Sequence, residues 1–243
     1  MKNTFFILML VVFASCQSTL IKNERYKVAP SSPELGSIGQ SQSLLYLLNK
    51  FKERTLPQLE NKIRVGVEVI PYNKRLYKLY AAKSKYNQQQ AMINYVDSLP
   101  NKPEFIAIRL QDVGGMLNEL NAPYNTSVFK LLEDTQKYRM VSAVAVSVST
   151  NEIASIREAD SYYLINTQDN KYDIVLFKSG KKMSNISINP ESILVYQTSS
   201  FCWGMTDRGK WYIADMAEGG AGCKGKTYAK IQKKKKSKAL FDM

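Results

Sequence analysis

The sequence predicts an α+β fold on a mixed or antiparallel sheet, with helices mainly in the N-terminal half and a strand-rich C-terminal half. Three observations carry this. Apolar residues recur at i, i+3 and i+4 in several stretches before residue 135, alternate with polar residues in the stretches between, and after residue 150 fall into short alternating runs. The resulting order is helix, strand, helix, strand, helix, strand and then strands alone, which argues helices packed on a sheet. Hydrophobic residues make up 44% and aromatic residues 11% of the 243, the composition of a chain that can bury a core.

The chain opens with one cation, Lys2, and a nine-residue apolar run over 5–13, followed by two small residues and a cysteine. A helix needs about 20 apolar residues to span a bilayer, so this run suits the core of a secretory signal instead. Phe13-Ala14-Ser15-Cys16 resembles the lipobox of bacterial lipoproteins. The resemblance implies cleavage before Cys16, a diacylglycerol on its thiol, and a mature chain held at a membrane of the bacterial envelope by its new N-terminus. Gln17 stands where an aspartate would retain such a protein at the inner membrane, so the resemblance further implies the outer membrane. Cleavage hereabouts by a general signal peptidase is the plainer reading. Residues 1–15 are thus a signal peptide. Residues 16–43 read as the lipidated cysteine and a flexible tether, because Pro30, Ser31, Ser32, Pro33, Gly36, Ser37 and Gly39 break any periodicity. A tether of that length reaches roughly 25–30 Å, enough to hold a domain clear of the headgroups.

A single α+β domain is expected over 44–228, with a division into two subdomains near residue 150 as the alternative, and a basic tail over 229–243. Residues 43–51 show helical spacing in Leu44, Leu45, Leu47, Leu48 and Phe51. Residues 62–70 alternate, with Ile63, Val65, Val67 and Val69 on one side of a strand that Pro71 stops. Helical spacing returns over 73–99, in one piece or two, and Pro100 and Pro103 mark its exit. A strand follows over 104–111, then short helices over 116–120 and 127–135, the second with Asn125 or Thr126 as N-cap. Residues 139–150 form the longest strand candidate. Met140, Val144, Val146 and Val148 face one way, and the small Ala143, Ala145 and Ser147 face the other, which suits a closely packed helix. Residues 161–166 and 172–178 read as a hairpin, and 193–198 and 210–214 as further strands.

The net charge of +13 is uneven, because residues 224–243 hold eight lysines and one aspartate. Within that tail Lys233, Lys234, Lys235 and Lys236 form a run. Such runs are either simply solvated or drawn to anionic lipid, surface polymer or nucleic acid. With Cys16 lipidated, Cys202 and Cys223 remain. An oxidising compartment favours a disulfide between them, and two buried thiols are the other reading. Histidine is absent. A Ser-His-Asp triad, a Cys-His dyad and histidine-ligated zinc all need an imidazole, so none can be assembled from this chain.

Two motifs match by letter. Gly220 to Thr227 satisfies G-x-x-x-x-G-K-[ST], but a phosphate loop directly follows a buried strand and opens a helix. Here residues 215–218 intervene after the last expected strand, and sixteen residues follow Thr227, so no nucleotide site is expected. Ser179-Gly180-Lys181-Lys182 matches S-x-x-K, but its glycine reads as a turn. Phe201, Cys202, Trp203, Trp211 and Tyr212 crowd twelve residues, with Asp207 and Asp215 nearby. Trp203, Trp211, Tyr212, Asp207 and Asp215 are a candidate ligand platform for a glycan or peptide. The alternative is a small core around the disulfide, filled by the rings.

The functional expectation is a non-enzymatic envelope lipoprotein that binds an envelope protein or surface polymer, with no cofactor and no metal. The alternatives are an envelope enzyme using carboxylates or a Ser–Lys pair, and a glycan or solute binder using the region around Trp203 and Trp211.

Overall fold

The structure, a computed structural model, describes residues 18–28, 33–42, 50–87, 93–98, 100–167 and 171–231. Cys16 and the run from Lys233 to Lys236 lie outside the described residues, as does most of the helix expected over 43–51. Among the described residues twelve strands form one sheet: β1 (Ser18–Ile21), β2 (Glu24–Val28), β3 (Ile38–Gln42), β4 (Lys50–Thr55), β5 (Ile63–Pro71), β6 (Glu104–Leu110), β7 (Arg139–Val146), β8 (Ser161–Asn166), β9 (Tyr172–Lys178), β10 (Lys181–Ser187), β11 (Ile193–Met205) and β12 (Trp211–Glu218). Among the described residues four α-helices accompany them: α1 (Lys74–Tyr86), α2 (Val113–Asn121), α3 (Thr126–Asp134) and α4 (Thr150–Glu158). The fold is α+β and strand-rich, and every pairing among the described residues is antiparallel.

The main path runs β1-β2-β11-β7-β6-β5-β8-β9-β10, with β12 on β11 and the β3–β4 hairpin against β7. Strands from before and after residue 150 alternate along it, since β11 lies between β2 and β7 and β8 pairs β5.

Alternation along β7 builds two cores. Met140, Val144 and Val146 join the larger one, which α2 and α3 cover through Met116, Leu120, Val128 and Leu132. Ala143 and Ala145 join the smaller one with Tyr72, Leu76 and Phe105. The small-residue face therefore does carry a helix, α1. That helix is fixed by Asn73, whose side chain accepts from the Leu76 amide at 2.9 Å.

Three differences from expectation matter. Residues 18–28 and 38–42, expected as part of a tether, carry β1, β2 and β3: β2 pairs with the distant β11 and β3 with β7, while β1 pairs with its neighbour β2. Residues 50–55 are strand rather than helix, with Phe51 buried and Lys52, Glu53 and Arg54 exposed. Helix α4 lies where helical spacing fades. Its sign in the sequence is a capping box, in which Ser149 Oγ accepts from the Glu152 amide and the Glu152 carboxylate accepts from the Ser149 amide.

The longest strand is β11, with 13 residues. Bulges between Ile193 and Val195, Gln197 and Thr198, and Cys202 and Trp203 let it bend and serve β2, β7 and β12 in turn.

Candidate anion-binding cavity

The β1–β2 hairpin turns at Lys22 and Asn23, both with positive φ, the geometry that matches the twist of paired strands. Alternation along β2 then divides its side chains. Tyr26 enters the smaller core, while Arg25 and Lys27 border a cavity of about 910 Å3. Ser18 on β1, directly opposite Lys27 in the ladder, joins the wall. Gln40 and Ser41 come from β3, Lys137 from the turn before β7, Arg139 from its first position, and Gln197, Thr198, Ser200 and Phe201 from β11. The last side is the loop from Gly219 to Cys223.

Four cations thus share one wall: Arg25, Lys27, Lys137 and Arg139. Among the described residues no acidic one lines the cavity, and no carboxylate pairs with any of the four. Lys27 Nζ lies 3.3 Å from Ser41 Oγ, 3.5 Å from Thr198 Oγ1 and 6.0 Å from the centre of the Tyr196 ring. Burial draws the Lys27 ammonium below the usual lysine pKa, and the Arg139 charge draws it the same way. Burial also lowers Arg139, whose Nη1 donates to the carbonyls of Tyr138 at 2.9 Å and Gln136 at 3.3 Å. A half-buried cation set against another cation is costly unless something anionic completes it.

The glycine loop is held at both ends. Gly219 and Gly220 have φ of +60° and +85°, which side-chain-bearing residues rarely adopt. Beyond them Cys223 is disulfide-bonded to Cys202 on β11, with Cα atoms 5.6 Å apart. Trp203 and Tyr228 then exchange two backbone hydrogen bonds of 2.8 Å. Strand β12 runs to Glu218, further than expected, so a strand does reach the glycines. It is antiparallel to β11, and no helix follows through residue 231, so the segment lacks the architecture of a phosphate loop. Ser179 and Gly180, both with positive φ, form the β9–β10 turn, as the glycine implied.

The five residues of the platform expected around Trp203 and Trp211 are divided between the core and the surface. Trp203 is 1% exposed and packs edge-on to Phe129 in the larger core. Trp211 packs against that core and edge-on to Tyr228. Tyr212 is 40% exposed and its ring lies over Gly204. Asp207 is exposed in the β11–β12 turn, and Asp215 accepts from the Met216 amide. None of the five lines the cavity; Phe201 and Cys223, their neighbours in sequence, do. The cationic residues were missed because Arg25 and Lys27 fell in the supposed tether. The alternation Glu24-Arg25-Tyr26-Lys27-Val28 was the available sign.

A second basin of about 300 Å3 borders the other residues of β2, Glu24 and Tyr26. Its cations are compensated. Lys22 pairs with Glu68 at 2.7 Å, and Arg109 pairs with Glu24 and, at 3.3 Å, with Glu218. Elsewhere Glu119 is 2% exposed. Burial raises its pKa, but hydrogen bonds from Asn61, Tyr124 and the Glu60 and Asn61 amides outweigh that and lower it, so this carboxylate is fully engaged in joining α2 to the loop before β5.

Comparisons with protein-family models, curated proteins and solved structures return no match to this chain.

Proposed function

We propose that this chain is a lipid-anchored protein of the bacterial envelope, a non-enzymatic binding module whose large cavity holds an anionic ligand.

 The observation that carries this is the wall of four uncompensated cations, interleaved with the hydroxyls of Ser18, Ser41, Thr198 and Ser200 and closed by a disulfide-held glycine loop. Arginine forks and lysine ammonium groups are the side chains that meet phosphate or carboxylate, and hydroxyls and glycine amides add donors at close approach. The cavity volume suits a small ligand or one residue of a polymer. The lipobox supplies the location, and the polybasic tail adds attraction to the same anionic surroundings. The test is equilibrium binding of glycerol phosphate and of galacturonate to the mature chain, with Cys16→Ser to keep it soluble. Salt-sensitive binding of either, lost in Arg139→Met, supports the reading. Absence of binding to both at low salt would overturn it.

A second reading rests on one contact. Lys27 Nζ is 3.3 Å from Ser41 Oγ, within reach for a lysine of lowered pKa to take the hydroxyl proton, the arrangement of a Ser–Lys enzyme. Turnover of a nitrophenyl ester that disappears in a folded Ser41→Ala variant would favour it, and no turnover would remove it.

A further inference from the structure

The cavity and the anchor lie at the same place in the chain. Strand β1 begins at Ser18, so only Gln17 separates it from Cys16. Two residues of chain span at most about 7 Å. Ser18 is the ladder partner of Lys27, and opposite residues of an antiparallel pair have Cα atoms about 5 Å apart. The covalent reach of the chain therefore cannot carry an acyl-bearing Cys16 further than about 12 Å from the Lys27 backbone. The start of β1 is fixed as well, because Arg75 Nη2 of α1 donates to the Ser18 carbonyl at 2.5 Å. The polar layer of one leaflet is about 5–7 Å deep. Ser18 is itself part of the cavity wall, so an anchor entering the bilayer beside it brings that wall to the headgroups.

We propose that the cavity takes its anion from the bilayer that anchors the protein, and that the ligand is the phosphate headgroup of an anionic membrane lipid. The proposal rests on the lipid-anchor reading and names the ligand of the same cavity. The charge distribution supports it. Cations close to an anionic surface are drawn to it, and the four in this wall are uncompensated, whereas those of the neighbouring basin are already paired. Phosphate also suits the donors: Arg25 and Arg139 offer planar forks, Lys27 and Lys137 point charges, and Ser41 and Thr198 hydroxyls already lie within 3.5 Å of Lys27 Nζ.

The experiment uses the full mature protein isolated from its native membrane, with its acyl chains verified by mass. It is reconstituted in phosphatidylcholine vesicles with or without phosphatidylglycerol, and the reactivity of individual lysines toward an acylating reagent is read by mass spectrometry. The expected result is that phosphatidylglycerol slows modification of Lys27 and Lys137 by about tenfold, equivalent to about 1.4 kcal/mol, and leaves Lys22, which is paired with Glu68, unchanged. Arg139→Met should abolish that protection, and Ser41→Asp, which places a carboxylate beside Lys27, should do the same should the first variant fail to fold. Equal reactivity in both kinds of vesicle, or equal protection of Lys22, overturns the proposal. Protection by soluble glycerol phosphate but not by phosphatidylglycerol overturns the membrane source and leaves the anion cavity standing. Protection by neither overturns both. A mature mass without acyl chains removes the anchor and with it the proposal.

Discussion

Strand β2 borders two basins, and its alternate residues meet opposite electrostatic fates. On the side of Glu24 and Tyr26, the guanidinium of Arg109 sits between Glu24 and Glu218, and Lys22 pairs with Glu68. On the side of Arg25 and Lys27, four cations face one another and hydroxyls, with no carboxylate among the described lining residues. The chain has acidic residues to spare: Glu218 ends β12 immediately before Gly219 of the cavity loop, yet its carboxylate is paired with Arg109. Charges that a protein neutralises itself serve its fold. Charges left together at a cost to stability are the ones that await something else.

The largest effect expected from separating the two basins is at the disulfide, which borders only the larger one. Replacing Cys202 and Cys223 by serine frees a loop whose ends are 21 residues apart. It should cost on the order of 3 kcal/mol and weaken anion binding by releasing Gly219 to Gly222, while the Arg109 pairs survive. Thermal melts with and without reductant check this, and equal stability in the two would count against the bridge as a stabilising element. Next comes Lys27→Met. Anion affinity should fall about tenfold, or about 1.4 kcal/mol. Stability should rise by about 1 kcal/mol, because a partly desolvated, unpaired charge is replaced by an apolar stem, which is 2–4 °C in Tm for a domain of this size. A variant that loses both stability and binding would mean that Lys27 serves the fold, as Arg109 does.

Titration sharpens the contrast without mutation. Lys27 has a folded pKa below the usual 10.5, and burial brings Lys83 down to about 8. Between the lowered values and 10.5 the folded chain gives up protons that the unfolded chain keeps, so stability rises with pH in that window. It is curtailed above 10, where the unfolded tyrosines ionise while Tyr26, raised to about 12 by burial, does not. Anion binding runs the other way and weakens as Lys27 loses its charge. Ligand should therefore raise Tm most below the Lys27 pKa, and a ligand shift that grows with pH would exclude Lys27 from the site.

The two basins also show what the sequence could and could not disclose. Strand β5, helices α2 and α3 and the β8–β9 hairpin were legible because each carries its own period, and α1 was legible too, although it ends at Tyr86 and residues 93–98 of the helical stretch expected over 73–99 are not helix. The disulfide was legible because compartment and cysteine count point to it. The cavity was not. Its cations come from β2, the start of β7 and the residues just before it, and proline, serine and glycine around residues 30–39 masked strands whose partners are more than a hundred residues away, as Lys27 and Tyr196 are. Trp203 misled in the opposite direction. Aromatic crowding is common to platforms and cores, and sequence does not announce the bulge between Cys202 and Trp203 beside which the ring is buried.

The smallest effect tests the paired basin itself. Glu24→Gln removes one of the two carboxylates on Arg109, leaving Glu218 at 3.3 Å and Gln197 Oε1 at 3.4 Å. Both carboxylates are substantially exposed, with side-chain exposures of 42% and 48%, so the loss should be only about 0.5 kcal/mol. Gln197 also lines the large cavity. A less neutralised Arg109 next to it adds positive potential there, so anion affinity should rise by less than about threefold, and the gain should vanish at high salt. Binding that falls instead, measured beside the wild type at the same ionic strength, would show that the compensated pair shapes the cavity through Gln197, and that the two basins are one electrostatic unit rather than a structural region beside a receptive one.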